Sequence, residues 1–282
     1  MIADVCYISD LVCKTWQIYN FIINVIKNLC CILTKKTLVN KVYIVSNIQL
    51  RQENYCAKYE RRFKMIYSNK RKLALSGWLK ENNITSYETP LKLQKFLLFY
   101  ETLTKISGET PDFSNLKGYK KGPVFSSVWG DYTKERVDFN MAAQNAYNTD
   151  PQSINKKRAE KCAFIVSTMT EKELSDFTHQ MNIWKSKENR IMSGEYQVDL
   201  DESDFNSDDM QLIQTLDAMY PTEMVENSTV IKLDEKYFVF SKSDAICLTE
   251  RHFDILLTIV ENEELYNPIF VNMDNEGRLI VD

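Results

Sequence analysis

Between residues 68 and 220 the apolar positions recur mostly at helical spacing. In SNKRKLALSGWLKEN, Leu73, Leu75, Trp78 and Leu79 fall on one side, which predicts a short amphipathic helix. Thr89-Pro90 supplies an N-cap followed by proline at the first helical position, and Gly108 supplies a stop, so a helix is predicted from Pro90 to about Ile106. Leu91, Leu93, Phe96, Leu97, Leu98, Phe99, Tyr100, Leu103 and Ile106 cover almost its whole circumference. A helix that is apolar all round is a buried one, so this helix is expected at the centre. Pro123 predicts a further helix start, with Val124, Val128, Trp129 and Tyr132 on one face. Ser153 is read as the cap of a helix to about Ser167. Thr170-Glu171-Lys172-Glu173 reads as a capping box opening another that carries Leu174 and Phe177. Ser207 is read as the cap of the last helix, with Met210, Leu212, Ile213, Leu216 and Met219, closed by Pro221. Five or six helices are expected in this region, all-α in class.

The pattern changes after residue 222. Thr229–Leu233 and Lys236–Phe240 alternate as two strands around an Asp234-Glu235 turn, and Thr249 caps a helix to about Leu265. Pro268–Met273 and Arg278–Val281 read as a second hairpin around Asp274–Gly277. The expected fold class is therefore mainly α, a compact helical domain over 65–222 with a small α+β appendage over 223–282. No internal repeat is visible.

Composition divides the chain a second time. Of 35 Lys/Arg and 39 Asp/Glu, residues 1–64 hold ten and four, leaving 25 and 35 for the remainder. The first segment is thus basic (+6) and the rest acidic (−10). Five of the seven cysteines (Cys6, Cys13, Cys30, Cys31, Cys56) precede Met65, and neither Gly nor Pro occurs before Gly77. A folded segment without these turn formers is improbable, so residues 1–64 are expected to be a non-native upstream extension. Glu60-Arg61-Arg62 is encodable as GAA-AGG-AGG, a purine-rich ribosome-binding sequence two codons before Met65, which places the expected start at Met65. The alternatives are a helical extension or a membrane anchor. Trp16–Thr34 is about long enough to span a bilayer, but Lys27 in its middle costs a few kcal/mol there. An acidic start without a small-residue cleavage site does not fit a secretory signal. With two cysteines in the body, neither a disulfide framework nor a cysteine metal site is available there, and the expected compartment is cytoplasmic.

Candidate chemistry is sparse. His179 and His252 lie far apart without a neighbouring cysteine, which disfavours zinc and Cys-His catalysis; a histidine bonded within the bundle is the better reading of His179. The acidic run Asp199–Asp204 lacks the glycine and the bidentate glutamate of a calcium loop and reads as a solvated acidic loop. Asp208 and Asp209 suit helix N-terminal positions. Gly118 and Gly122 flank Lys117, Lys120 and Lys121, but GxxxGP lacks the P-loop Lys-Ser/Thr and no strand is predicted before it, so a structural turn is preferred to a phosphate loop. Basic and aromatic residues interleave at Tyr119, Phe125 and Trp129, yet the acidic body argues against nucleic acid. No GxSxG elbow is present.

Three segments carry a family resemblance. KLQKFLLFYETLTKISG resembles the KLQKLLYYAxxxxLAxxG helix of the Panacea domain family, the SocA-like antitoxins. Gly118-Tyr119-Lys120-Lys121-Gly122-Pro123-Val124 is similar to that family's WKYGPV turn, with Tyr119 replacing Trp and Lys121 replacing Tyr. Leu174–Trp184 (LSDFTHQMNIW) resembles the family's LSxLTHxxxPW segment, with Ile183 where Pro is common, and Asp208–Leu216 falls where the family has its last helix. The three motifs stand in the family's order between Leu91 and Tyr220. The resemblance implies a helical antitoxin of a two-gene toxin–antitoxin pair, often on prophages and mobile elements. Such a protein works by binding its cognate protein toxin, without a cofactor or metal; one branch instead delivers the toxin to a protease as an adaptor.

The expected function is accordingly a non-enzymatic, bacterial antitoxin acting through protein–protein interaction. Tyr119, Lys120, Lys121, Phe125 and Trp129 are the expected partner contacts, since interface cores favour aromatic and basic side chains; Trp129 suits a core position equally well. A prophage regulatory or proteolytic adaptor protein is the alternative, and a hydrolase a third reading.

Overall fold

The computed structural model describes residues 65–281 apart from Glu263. The readings made for residues 1–64 lie outside the described residues. Thirteen α-helices and two small sheets are present among the described residues, mainly α with a C-terminal sheet region.

Helix α1 (Lys70–Asn82) is capped by Asn69, whose side chain accepts from the Lys72 N–H. A single turn, α2 (Ile84–Glu88), leads to α3 (Pro90–Ile106), which has Thr89 as N-cap residue, Pro90 in its first turn and Gly108 beyond it at φ +77°. Every residue of α3 from Leu91 to Thr104 is buried, the polar ones included, and the main hydrophobic core is assembled around it. Helices α4 (Ser126–Lys134), α5 (Arg136–Thr149), α6 (Lys156–Ser167), α7 (Glu171–Gln180) and α10 (Ser207–Met219) complete the body, with short α8 (Asn182–Lys185) and α9 (Glu188–Met192) between α7 and α10. Thr170 and Glu173 form the predicted capping box on α7.

Gly77 lets α1 approach α5 closely. A Cβ there would lie under 3.0 Å from the backbone carbonyl of Ala143 and from the Tyr147 side chain. Gly77→Ala is expected to destabilise the protein by about 2 kcal/mol, because overpacking of about 1–3 kcal/mol outweighs alanine's helix propensity. An unchanged midpoint in urea denaturation would contradict this close approach.

The all-α expectation for the body requires correction. Residues Leu116–Tyr119 (β1) and Gly122–Phe125 (β2) form a hairpin, and Val198–Asp199 (β3) adds to it in the order β2-β1-β3. Pro123 therefore lies in a strand and not at a helix start, opposite Gly118. A proline without an N–H is tolerated there because β2 is an edge strand. Helix α4 begins only at Ser126. Ten helices, counting the short ones, stand where five or six were expected, and α5 had not been read at all. Asn155 and Asn206, not Ser153 and Ser207, cap α6 and α10.

Beyond α11 (Thr222–Asn227), strands β4 (Ser228–Leu233), β5 (Lys236–Ser241), β6 (Ile269–Met273) and β7 (Leu279–Val281) form a sheet in that order. Both expected hairpins are there, β4–β5 and β6–β7, while β5 and β6 run parallel, joined through α12 (Lys242–Ile246) and α13 (Glu250–Val260). Helix α13 ends at Val260, before the expected Leu265. Strand alternation sends the two faces to different neighbours. Val230, Val239 and Phe270 join the core of the helical body, whereas Phe238, Phe240, Ile269 and Val271 form a second core with Leu256 of α13. The sheet is thus a middle layer between body and helix.

Candidate functional site

The hairpin tip Tyr119–Gly122 is held from below by side chains of three separate segments. From α3, Gln94 accepts the Phe125 N–H at 2.9 Å, and the Lys95 ammonium donates to the carbonyls of Lys121 at 2.9 Å and Pro123 at 3.4 Å. Trp184 Nε1, in α8, donates to the Tyr119 carbonyl at 3.0 Å. His179, at the end of α7, stacks on Trp184 at 4.0 Å between ring centroids, close enough to the backbone of Lys120 to feel it electrostatically. Gly122 sits at φ +99°, and a Cβ on it would run into Lys95 Nζ and the Thr178 hydroxyl. The turn is therefore shaped to its supports.

Burial dominates the electrostatics beneath the tip. Lys95 is fully buried with no carboxylate in ion-pair distance among the described residues, and desolvation lowers its pKa to about 7. His179 is pushed below the usual histidine range, first by desolvation and then by the neighbouring Lys95. Its Nε2 is buried without a hydrogen-bond partner among the described residues. The histidine expected to bond within the bundle is held there by its stacking on Trp184.

The five expected contact residues separate on inspection. Lys120 and Lys121 are exposed at the tip, and Tyr119 is half-buried, its hydroxyl accepting from Gln197 Nε2 at 3.0 Å. Trp129, on α4, is 37% exposed, a surface position. Phe125 is a correction: at 0% exposure it belongs to the core, with the Lys72 ammonium 4.4 Å from its ring centroid, and offers no surface to a partner. As an inward-facing residue of β2 it was drawn into the core by the strand that replaced the expected helix.

Lys120, Lys121 and His179 also line a cleft of about 1130 Å³ between the helical body and the C-terminal sheet. Lys92 and Tyr237 lie deep in its wall, at 6% and 5% exposure. The Lys92 ammonium lies 3.2 Å from the Tyr237 hydroxyl and 4.5 Å from its ring centroid, with Lys232 Nζ 5.7 Å from the same ring. Desolvation, then Lys232, lowers the Lys92 pKa to about 8. The sheet is fastened beside the cleft by Asn267, which donates to the Glu173 carboxylate and the Glu235 carbonyl and accepts the Tyr237 N–H at 2.8 Å.

Sequence reasoning passed over Lys92, Gln94, Lys95 and Tyr237. The signal was present in KLQK itself, because polar side chains inside a helix read as buried all round need a purpose. The acidic run is largely ion-paired: Asp199 with Lys117, Glu202 with Lys105 at 2.7 Å and Asp204 with Lys187 at 3.1 Å. Asp209 is buried and accepts the N–H groups of Asn182 and Ile183, the second a donor that proline at this position would lack. Among the described residues no three His, Cys, Asp or Glu side chains group so as to hold a metal ion, and no helix is long and apolar enough to cross a membrane.

A scan against protein-family models, a search of curated proteins and a search of solved structures each return no match for this chain.

Proposed function

We propose that this protein is a cytoplasmic antitoxin-like protein that binds and neutralises a cognate protein toxin without catalysis. On this reading the helical domain over 65–222 presents the hairpin tip, and the α+β appendage over 223–282 walls the adjoining cleft. The observation that carries it is convergence. The three segments on which the Panacea resemblance rests are spread from Lys92 to Trp184 in sequence. They meet at one turn, Gln94 and Lys95 from the first, Tyr119–Phe125 from the second, His179 and Trp184 from the third. Side chains that share one structural task in space explain why the three motifs occur together. Such a turn, with Lys120 and Lys121 exposed above a braced backbone, is suited to recognition, because little conformational entropy remains to be lost on binding.

Co-expression with the product of the adjacent gene tests the reading. The neighbour alone is expected to arrest growth, this chain to restore it, and Lys120→Glu with Lys121→Glu to weaken the rescue. A neighbour that is harmless by itself removes the toxin from the account. Degradation of the neighbour's product only when this chain is present would favour the proteolytic adaptor reading instead.

A further inference from the structure

We propose that the cleft beside the hairpin seats a carboxylate-rich, extended segment of the protein partner, with one carboxylate received by Lys92, Lys232 and the Tyr237 hydroxyl. This rests on the reading above that the partner is a protein. Six lysines line the cleft: Lys92, Lys120, Lys121, Lys172, Lys232 and Lys242. Among the described residues none of them has a carboxylate within ion-pair distance; Lys242 donates only to the Glu226 carbonyl, at 2.7 Å. Lys92 is the decisive one. The residue is 6% exposed, and its ammonium, with three donors, finds one protein acceptor, Tyr237. Lys232 Nζ lies 5.7 Å from the centroid of the same ring, so two like charges gather at Tyr237 with no carboxylate in ion-pair distance of either among the described residues. Glu171 and then Glu173 act on Lys92 from beyond ion-pair distance; Glu171 is exposed at the start of α7, and Glu173 is already engaged by the Thr170 cap and by Asn267. A carboxylate entering here would screen the repulsion and offset the desolvation penalty of Lys92 through charge-assisted hydrogen bonds.

Charge complementarity identifies the occupant. The body from residue 65 onward is acidic, with 25 Lys/Arg against 35 Asp/Glu, yet the cleft holds six lysines against Glu160, Glu171, Glu226 and Glu235. A positive concavity on a negative body draws anions to itself and repels them elsewhere. A nucleotide suits the lining poorly. Trp78, Phe164 and Tyr237 are buried at 3%, 8% and 5% exposure, so none of these rings offers an open face to a base. The four glutamates would repel a polyphosphate. A peptide can place its carboxylates and its neutral residues in alternation along such a mixed wall.

The probe is a fluorescein-labelled ten-residue peptide of alternating Glu and Ser, followed by fluorescence anisotropy with the full-length chain. Saturable binding is expected, weakened at least tenfold by Lys92→Met and by Lys232→Glu. Lys134→Glu, the same change of net charge as Lys232→Glu but on the exposed end of α4, is expected to change it less than twofold. Equal losses in all three variants, or no binding by wild type, overturn the proposal. Displacement of the peptide by inorganic phosphate or ATP at lower concentration than by unlabelled peptide overturns it in favour of a small anion. Full growth rescue by Lys232→Glu against the neighbouring gene product overturns it while leaving the antitoxin reading intact. Peptide binding by a chain that never rescues growth does the reverse.

Discussion

Glu101→Ala is expected to destabilise the protein by about 3–5 kcal/mol, the cost of removing one partner from a buried ion pair. The Glu101 carboxylate, at 0% exposure, is the hub of a network inside α3. It takes two bonds from Arg71 at 2.9 and 2.7 Å, one from the Lys72 ammonium at 2.6 Å and one from the Asp112 N–H at 2.8 Å. Arg71 is partly exposed and can turn to water, but Lys72 is 1% exposed and cannot. Without Glu101 its ammonium keeps the Asp112 carbonyl at 2.6 Å and the Asp112 carboxylate at 3.3 Å. Desolvation already lowers the Lys72 pKa, and losing the carboxylate that opposes this deepens the penalty. The double variant Lys72→Met with Glu101→Leu is expected to be less destabilised than the two single costs added together, because no buried charge is orphaned. Urea denaturation of the four proteins measures this; strict additivity would show that the pair does not act as one unit.

Raising the pH from 7 to 9 is expected to stabilise the fold by about 2 kcal/mol through Lys95 alone. The folded state holds Lys95 at a pKa of about 7, against 10.5 for a free lysine. Below pH 7 both states are protonated and the burial penalty is full. Between these two values the unfolded chain binds the proton and the folded chain does not, so unfolding becomes harder as the pH rises. Lys92, brought down to about 8, acts in the same direction. Above pH 9 the buried Cys162 thiol, whose pKa is raised by desolvation, works the other way and closes the window. Lys95→Met removes the carbonyl contacts along with the charge, so the slope of stability against pH, not its absolute value, is the diagnostic. A slope unchanged in Lys95→Met would assign the titration elsewhere.

Legibility tracked locality. Helix α3 with its Thr89-Pro90 start, the Thr170–Glu173 capping box and the two C-terminal hairpins were readable, because each is specified by neighbours a few residues away. The β1–β2 hairpin was not. Gly122-Pro123 is as good a helix opening as a strand, and what decides between them is Gln94, 31 residues away, together with β3, paired at Lys117–Asp199. The same non-locality hid half the site. Lys120 and Lys121 were found because a basic turn is visible in sequence, and Phe125 was misplaced because its burial depends on the hairpin. Lys92 and Tyr237 are 145 residues apart, and nothing local marks either as the other's partner.

The supports of the hairpin tip bond to its backbone: Trp184 to the carbonyl of Tyr119, Lys95 to the carbonyls of Lys121 and Pro123. None of these contacts involves the side chain of residue 120 or 121. Those two positions are therefore free to vary chemically while the loop keeps its shape. A lineage facing a drifting or exchanged partner could rewrite its choice of target there, one codon at a time, without refolding the scaffold that displays it.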